Sequence, residues 1–161
     1  MFNSKNNFYL KIILVFSSIA LISAYFIEHI LGHQPCNLCL IERIPYGLSI
    51  IFIIIIFIIK KNEKFFILLL LLSFIFSLAI SVYHFGIEQG FFQESIVCGV
   101  ENITQSITKE DLLKELNKKT ISCKDVTFRI FGLSLTSINI VISLLFIITL
   151  SKIFTKYEKN K

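Results

Sequence analysis

The sequence predicts an all-α membrane protein, a four-helix transmembrane bundle with two outer loops. Of its 161 residues, 55% are hydrophobic, and the chain has 17 Phe and no Trp. Four apolar runs contain no Asp, Glu, Lys or Arg: 12–27, 44–59, 65–87 and 130–151. Crossing the hydrocarbon core takes roughly 20 apolar residues in a helix, and flanking residues can extend the shorter runs.

We therefore predict one domain built from these four helices. The predicted spans are about 10–31, 43–59, 65–87 and 130–151, with outer loops at about 32–42 and 88–129. Helices are expected because backbone in lipid must satisfy its hydrogen bonds internally. The runs are apolar on all sides, whereas the helices of a soluble bundle have a polar face. The first span is expected to be an uncleaved anchor, because no small-x-small site precedes the loop.

The distribution of lysine predicts the orientation. Basic residues precede the first run, separate the second from the third and follow the fourth: Lys5, Lys11, Lys60, Lys61, Lys64, Lys152, Lys156, Lys159 and Lys161. The connection 28–43 has one basic residue, and the connection 88–129 balances six basic against seven acidic residues. The positive-inside rule puts both termini in the cytoplasm and both cysteine-bearing loops outside. The net charge of +5 mostly reflects this topology and does not indicate nucleic-acid binding.

The second outer loop has a composition typical of soluble proteins. Its segment from Thr108 starts like a helix and places Leu112, Leu113 and Leu116 on one face. We predict a short amphipathic helix here that lies on the bilayer surface. The alternative is a surface helix packed on the loop's own structure.

Cys36 and Cys39 form a C-x-x-C pair where the second helix is expected to begin. Free backbone N–H groups and the positive end of the helix dipole stabilise a thiolate there. Arg43 is at i+4 from Cys39 and would favour the Cys39 thiolate, while Glu42 opposes it. Cys36 is expected to be the more exposed thiol, suited to exchange with another protein, and Cys39 the one nearer the hydrocarbon.

Cys98 and Cys123 lie 25 residues apart in the second outer loop. A structural disulfide between them is one interpretation, since closing such a loop stabilises a protein by about 3 to 4 kcal/mol in the chain-entropy model. A mobile disulfide that passes electrons between partners is the other. A zinc site built from all four cysteines is a third alternative, disfavoured because the second pair is widely spaced and an oxidising compartment favours disulfides.

Five features follow one another along nearly the whole chain: C-N-L-C-L-I-E-R at 36–43, Y-H-F-G-I-E at 83–88, Cys98, Cys123 and F-G-L-S-L at 131–135. With these features in this order, the chain closely resembles the bacterial disulfide bond formation protein B (DsbB) family. Vitamin K epoxide reductase homologues share the four-helix arrangement, but their C-x-x-C motif lies near the last span. The last span here has no cysteine.

The resemblance implies a thiol:quinone oxidoreductase in the bacterial inner membrane. A reduced, periplasmic, thioredoxin-fold thiol oxidase of the DsbA type would attack Cys98, and Cys123 would communicate with Cys36. Electrons would reach the pair of Cys36 and Cys39, and Cys39 would pass them to ubiquinone or menaquinone at the outer leaflet.

The resemblance also implies that Arg43 and His84 bind the quinone. Taken by itself, Arg43 could instead anchor a short helix at the interface, and His84 could be a polar residue at headgroup level. Glu42 could snorkel or pair with Arg43. The alternative function is a non-catalytic membrane assembly or sensor protein with structural disulfides.

Overall fold

The computed structural model describes residues 4–59, 62–93, 123, 129–130 and 132–159. Four long helices make up most of this part of the chain: α1 (Ser4–His29), α2 (Asn37–Ile59), α3 (Glu63–Glu88) and α4 (Leu135–Lys159). Each is long and apolar enough to cross a membrane. The predicted four-helix transmembrane bundle is confirmed. The predicted amphipathic helix lies outside the described residues, as does Cys98.

Local signals explain where α2 and α4 begin. The backbone N–H of Cys39 donates to Cys36 Sγ at 3.4 Å, so Cys36 caps α2 with its sulfur. Before α4, the strands β1 (Arg129–Ile130) and β2 (Leu133–Ser134) form a short antiparallel hairpin. Gly132 has a φ of +82°, which a tight turn needs and glycine adopts without strain. Ser134 Oγ then accepts the backbone N–H of Ser137, as an N-cap does.

The helices pack mainly in the order α1, α2, α3, α4. α3 makes the most extensive contacts, with α4 and then α2, and α1 rests chiefly on α2, whereas α1 and α4 touch at few points. The main apolar core includes Ile13, Ile53, Leu70 and Phe74, all buried. A second, smaller cluster contains Cys36, Leu38, Ile87 and Cys123. We call the end of the bundle that holds this cluster the thiol end.

Small polar side chains join the helices inside the bundle. Ser49 Oγ donates to Ser17 Oγ at 2.9 Å between α2 and α1, and Ser143 Oγ donates to Ser77 Oγ at 3.2 Å between α4 and α3. All four serines are fully buried. Small hydroxylated residues let transmembrane helices approach closely and satisfy each other's polar groups. The buried contact between Ser143 and Ser77 therefore helps to hold α3 and α4 together.

Replacing Ser143 by Leu should destabilise the protein. The larger side chain would fill a closely packed contact with α3 and remove the partner of Ser77, at a cost of about 1 to 3 kcal/mol. Thermal unfolding of the protein in detergent, followed by circular dichroism, should give a lower midpoint. The matched control is Thr155→Leu, at an exposed position of the same helix. Equal destabilisation by both substitutions would contradict the proposed contact.

Candidate functional site: a thiol centre beside an apolar cavity

Cys36 and Cys39 form the centre of the thiol end. Their sulfur atoms lie 2.9 Å apart, and both thiols are free. Cys36 immediately precedes α2 and Cys39 lies in its first turn, so the helix start holds the sulfurs within reach of each other. This proximity suits a pair that alternates between a dithiol and a disulfide.

Cys36 is the less exposed of these two thiols, which differs from our expectation. It is 7% exposed, whereas Cys39 is half-buried. The reason is that Cys123, itself 3% exposed, packs in the same cluster together with Leu38 and Ile87. The connection between α3 and α4 thus brings Cys123 onto the C-x-x-C pair. The sequence predicts an open loop end for Cys36, because local sequence patterns do not show where Cys123 lies in the fold.

The contacts around Cys36 favour its thiolate. A hydrogen bond from Cys123 lowers the pKa of Cys36 most, followed by the hydrogen bond from Cys39 and by His84, while burial acts in the opposite direction. The prediction from the sequence was that Arg43 favours a thiolate at Cys39 and that Glu42 opposes it. In the described structure, Arg43 Nη1 instead donates to Glu28 Oε2, and its guanidinium lies 5.4 Å from the centre of the Tyr25 ring.

His84 links Cys36 to a buried carboxylate. His84 Nε2 is 3.6 Å from Cys36 Sγ, and His84 Nδ1 donates to Glu42 Oε1 at 3.0 Å. The hydrogen bond to Glu42 assigns the proton of the neutral ring to Nδ1, which leaves Nε2 to accept the proton of Cys36. The three side chains are therefore arranged as a nucleophile (Cys36), its base (His84) and the carboxylate that orients the base (Glu42).

Glu42 lies inside the bundle, so the expectation that it snorkels or pairs with Arg43 is wrong. Its Oε2 accepts the side-chain amide of Asn139 at 3.0 Å, and Asn139 also bonds the hydroxyl of Tyr46. Consecutive helical residues point about 100° apart, so Glu42 turns toward α3 and α4 while Arg43 turns toward α1. A buried carboxylate requires such partners.

Several residues of this site were not predicted from the sequence. Thr136 Oγ1 lies 3.3 Å from His84 Nδ1 and donates to Glu88 Oε1 at 2.6 Å. The side-chain amide of Asn139 also donates to Ser81 Oγ at 2.7 Å. A signal for them is present in the sequence. Polar residues recur at intervals of three and four along two otherwise apolar runs: Ser77, Ser81, His84 and Glu88 in α3, and Thr136, Asn139 and Ser143 in α4. Such spacing indicates polar faces that meet inside a bundle.

A cavity of about 330 Å³ opens beside the thiols, between α1, α2 and α4. Its walls are mostly apolar and include Ile19, Ala20, Ala24, Ile138 and Ile142. Cys36, Cys39, Arg43, His84 and Cys123 line its polar part. An apolar cavity with a few convergent polar groups is typical of small-molecule sites, and this one suits a hydrophobic ring with polar oxygens.

A metal site fits the geometry less well. Among the described residues, Cys36, Cys39 and His84 form a group of potential metal ligands. Their ligand atoms lie within 4.8 Å of one another. Two sulfurs bound to one tetrahedral zinc lie about 3.8 Å apart, given a Zn–S bond of about 2.3 Å. The separation of 2.9 Å between Cys36 Sγ and Cys39 Sγ is shorter. The geometry therefore favours redox chemistry of the thiols over zinc binding.

Replacing Cys123 by Ala should raise the pH at which Cys36 becomes a thiolate. The variant removes the strongest interaction that lowers the Cys36 pKa, whereas in the wild type the thiolate persists below the ordinary thiol range. Pulsed alkylation of the reduced protein at a series of pH values, with Cys36 followed by peptide mass spectrometry, measures the midpoint. Thr149→Ala is the control. An unchanged midpoint in the Cys123 variant would show that Cys123 does not influence Cys36.

Comparison with known proteins agrees with the site. The family model for disulfide bond formation protein DsbB matches residues 6–152, a range that includes the four cysteines. The chain is also 30% identical over 152 residues to the uncharacterized protein RP370 of Rickettsia prowazekii (strain Madrid E), covering 93% of this chain and 88% of that protein. The resemblance found in the sequence is confirmed, and the chain belongs to the DsbB family of membrane disulfide bond formation proteins.

Proposed function

We propose that this membrane protein is a thiol:quinone oxidoreductase that reoxidises a periplasmic DsbA-like thioredoxin-fold protein. It would lie in the bacterial inner membrane, with both termini in the cytoplasm and both cysteine-bearing loops in the periplasm. The observation that carries the proposal is that Cys36 and Cys39, 2.9 Å apart, line an apolar cavity together with Cys123. Membership of the family supports the same assignment.

In the proposed reaction, electrons enter at the second outer loop. The partner's thiolate attacks Cys98 in a disulfide with Cys123, which forms a mixed disulfide and releases Cys123. Cys123 then attacks Cys36 in its disulfide with Cys39, which forms a Cys36–Cys123 disulfide and releases Cys39. The partner's second thiol breaks the mixed disulfide and the partner leaves oxidised. The freed Cys98 attacks Cys123, which restores their disulfide and leaves Cys36 and Cys39 reduced. The contact between Cys36 and Cys123 supports this order, because disulfide exchange requires the attacking sulfur to reach its target.

The second half of the reaction returns Cys36 and Cys39 to the disulfide. A ubiquinone or menaquinone, when bound, supplies a two-electron, two-proton acceptor. Arg43 and His84 would hold its polar ring from the thiol end of the cavity, and the walls from α1 and α4 would exclude water. The overall change balances, because one dithiol and one quinone give one disulfide and one quinol.

Loss of the Cys39 sulfur should abolish quinone reduction. We expect a Cys39→Ser variant to reduce no quinone, because the C-x-x-C pair then cannot form its disulfide. The assay combines purified protein, a reduced thioredoxin-fold thiol oxidase and a soluble quinone analogue, and it follows quinone absorbance. Thr149→Ala should retain the wild-type rate. If the intact protein shows no thiol-dependent quinone reduction, the proposal fails and a non-catalytic role with structural disulfides gains support.

Replacing Arg43 by Ala should raise the KM for quinone more than it lowers kcat. A charge-assisted hydrogen bond to a carbonyl oxygen contributes about 1.5 to 3 kcal/mol, so the KM should rise by about tenfold or more. Glu28→Gln is the matched control, since it also breaks the ion pair of Arg43 with Glu28 but keeps the guanidinium. If both variants raise the KM equally, the ion pair matters for packing of α1 and not for quinone binding.

A further inference from the structure

Glu88 is a buried acid that the proposed reaction leaves without a role. It is the last residue of α3, one turn beyond His84, and its side chain is 6% exposed. Thr136 donates to Oε1 at 2.6 Å, but Oε2 is buried and has no hydrogen-bond partner among the described residues. A buried carboxyl group with one unsatisfied oxygen is costly to maintain. Such a group suggests a function that needs the free oxygen.

The position of Glu88 connects the thiol centre with a second cavity. Glu88 lines the main cavity, and it also lines a smaller cavity of about 220 Å³ together with Gln89, Gly132, Ser134 and Ser137. Gln89 and Gly132 are exposed, so the second cavity lies at the surface of the thiol end. Its lining offers hydroxyl and amide groups that can hydrogen-bond water.

The groups between Cys36 and Glu88 lie within 4 Å of one another. Cys36 Sγ lies 3.6 Å from His84 Nε2, and His84 Nε2 lies 3.9 Å from Glu88 Oε1. The other ring nitrogen of His84 is occupied by Glu42, which is held in turn by Asn139. Glu42 therefore orients the ring, while the Nε2 side faces both the thiol and Glu88.

We propose that Glu88 carries the proton released by Cys36 from His84 to water in the second cavity. The inference rests on the proposed function, in which the thiol of reduced Cys36 must lose its proton before Cys36 and Cys39 return to the disulfide. The S–H bond of Cys36 breaks and an N–H bond forms at His84 Nε2. That N–H bond then breaks, an O–H bond forms on Glu88, and the proton leaves to water. The electron pair stays on the sulfur, so the step involves no oxidation or reduction.

The titratable neighbours of Glu88 are compatible with this route. On its own helix it faces His84. The titratable groups across the main cavity are His33, Cys36, Cys39, Glu42, Tyr46, Cys123 and the ion pair of Arg43 with Glu28. Among the described side chains, α4 and the hairpin contribute the hydroxyls of Ser134, Thr136 and Ser137 on this side. Glu88 is the carboxylic acid found in the lining of both cavities.

The test is the rate of Cys36 thiolate formation after a rapid rise in pH, followed by thiolate absorbance in the reduced protein without quinone. Glu88→Gln keeps an oxygen for the Thr136 hydroxyl but cannot accept a proton. We expect the rate to fall by about tenfold or more, since loss of a positioned acid or base typically costs at least that much. Added formate, a small mobile carboxylate, should restore the rate in the variant and leave the wild type unchanged.

The matched control is Glu63→Gln, the same substitution in the first turn of the same helix, which should leave the rate unchanged. If Glu88→Gln does not fold, Ser137→Leu provides a second test, because it fills the second cavity without altering the carboxyl group. We expect Ser137→Leu to slow the rate as well. An unchanged rate in either folded variant, or a slow rate of Glu88→Gln that formate does not restore, would overturn the proposal. Because the measurement uses no quinone, failure of the proposed quinone reaction would not affect it.

Discussion

The structure depends on burial of one carboxylate in the thiol end. Glu42 extends from α2 into a bundle of apolar helices, where a charged group is costly unless hydrogen bonds satisfy it. Its two oxygens accept from His84 of α3 and Asn139 of α4, so one side chain joins three helices. The same bonds fix the plane of the His84 ring. The position of the imidazole beside Cys36 is therefore a consequence of how the bundle satisfies Glu42.

The polar contacts also divide the bundle into two unequal parts. The serine contacts and Asn139 hold α3 and α4 together, and α2 joins them through Glu42 and Tyr46. α1 attaches to α2, through Ser17 and through the ion pair at Arg43, and contacts α4 little. A gap between α1 and α4 remains, and it becomes the apolar cavity. The thiols thus meet a mostly apolar compartment, and part of its polar lining comes from the side chains that join α2, α3 and α4.

Hydropathy sufficed to predict the four helices, because length and composition alone determine which segments can cross a bilayer. The C-x-x-C motif likewise placed Cys36 at a helix start. The exposure of Cys36 and the partner of Glu42 were not predicted, because both depend on which helix faces turn toward each other. Periodic polar residues such as His84 and Asn139 contain part of that information. The contact with Cys123 comes from a residue 84 positions beyond Cys39, which local patterns do not describe.

In the proposed reaction Cys36 has two tasks, since its sulfur is both the redox atom and the cap of α2. The thiolate accepts the Cys39 backbone N–H better than a disulfide sulfur does, so the end of the helix stabilises the reduced protein selectively. A typical cap contributes about 1 kcal/mol. For a two-electron couple this corresponds to about 20 mV of reduction potential. The start of a transmembrane helix therefore tunes the potential, making the pair a stronger oxidant than the same two cysteines in a flexible chain.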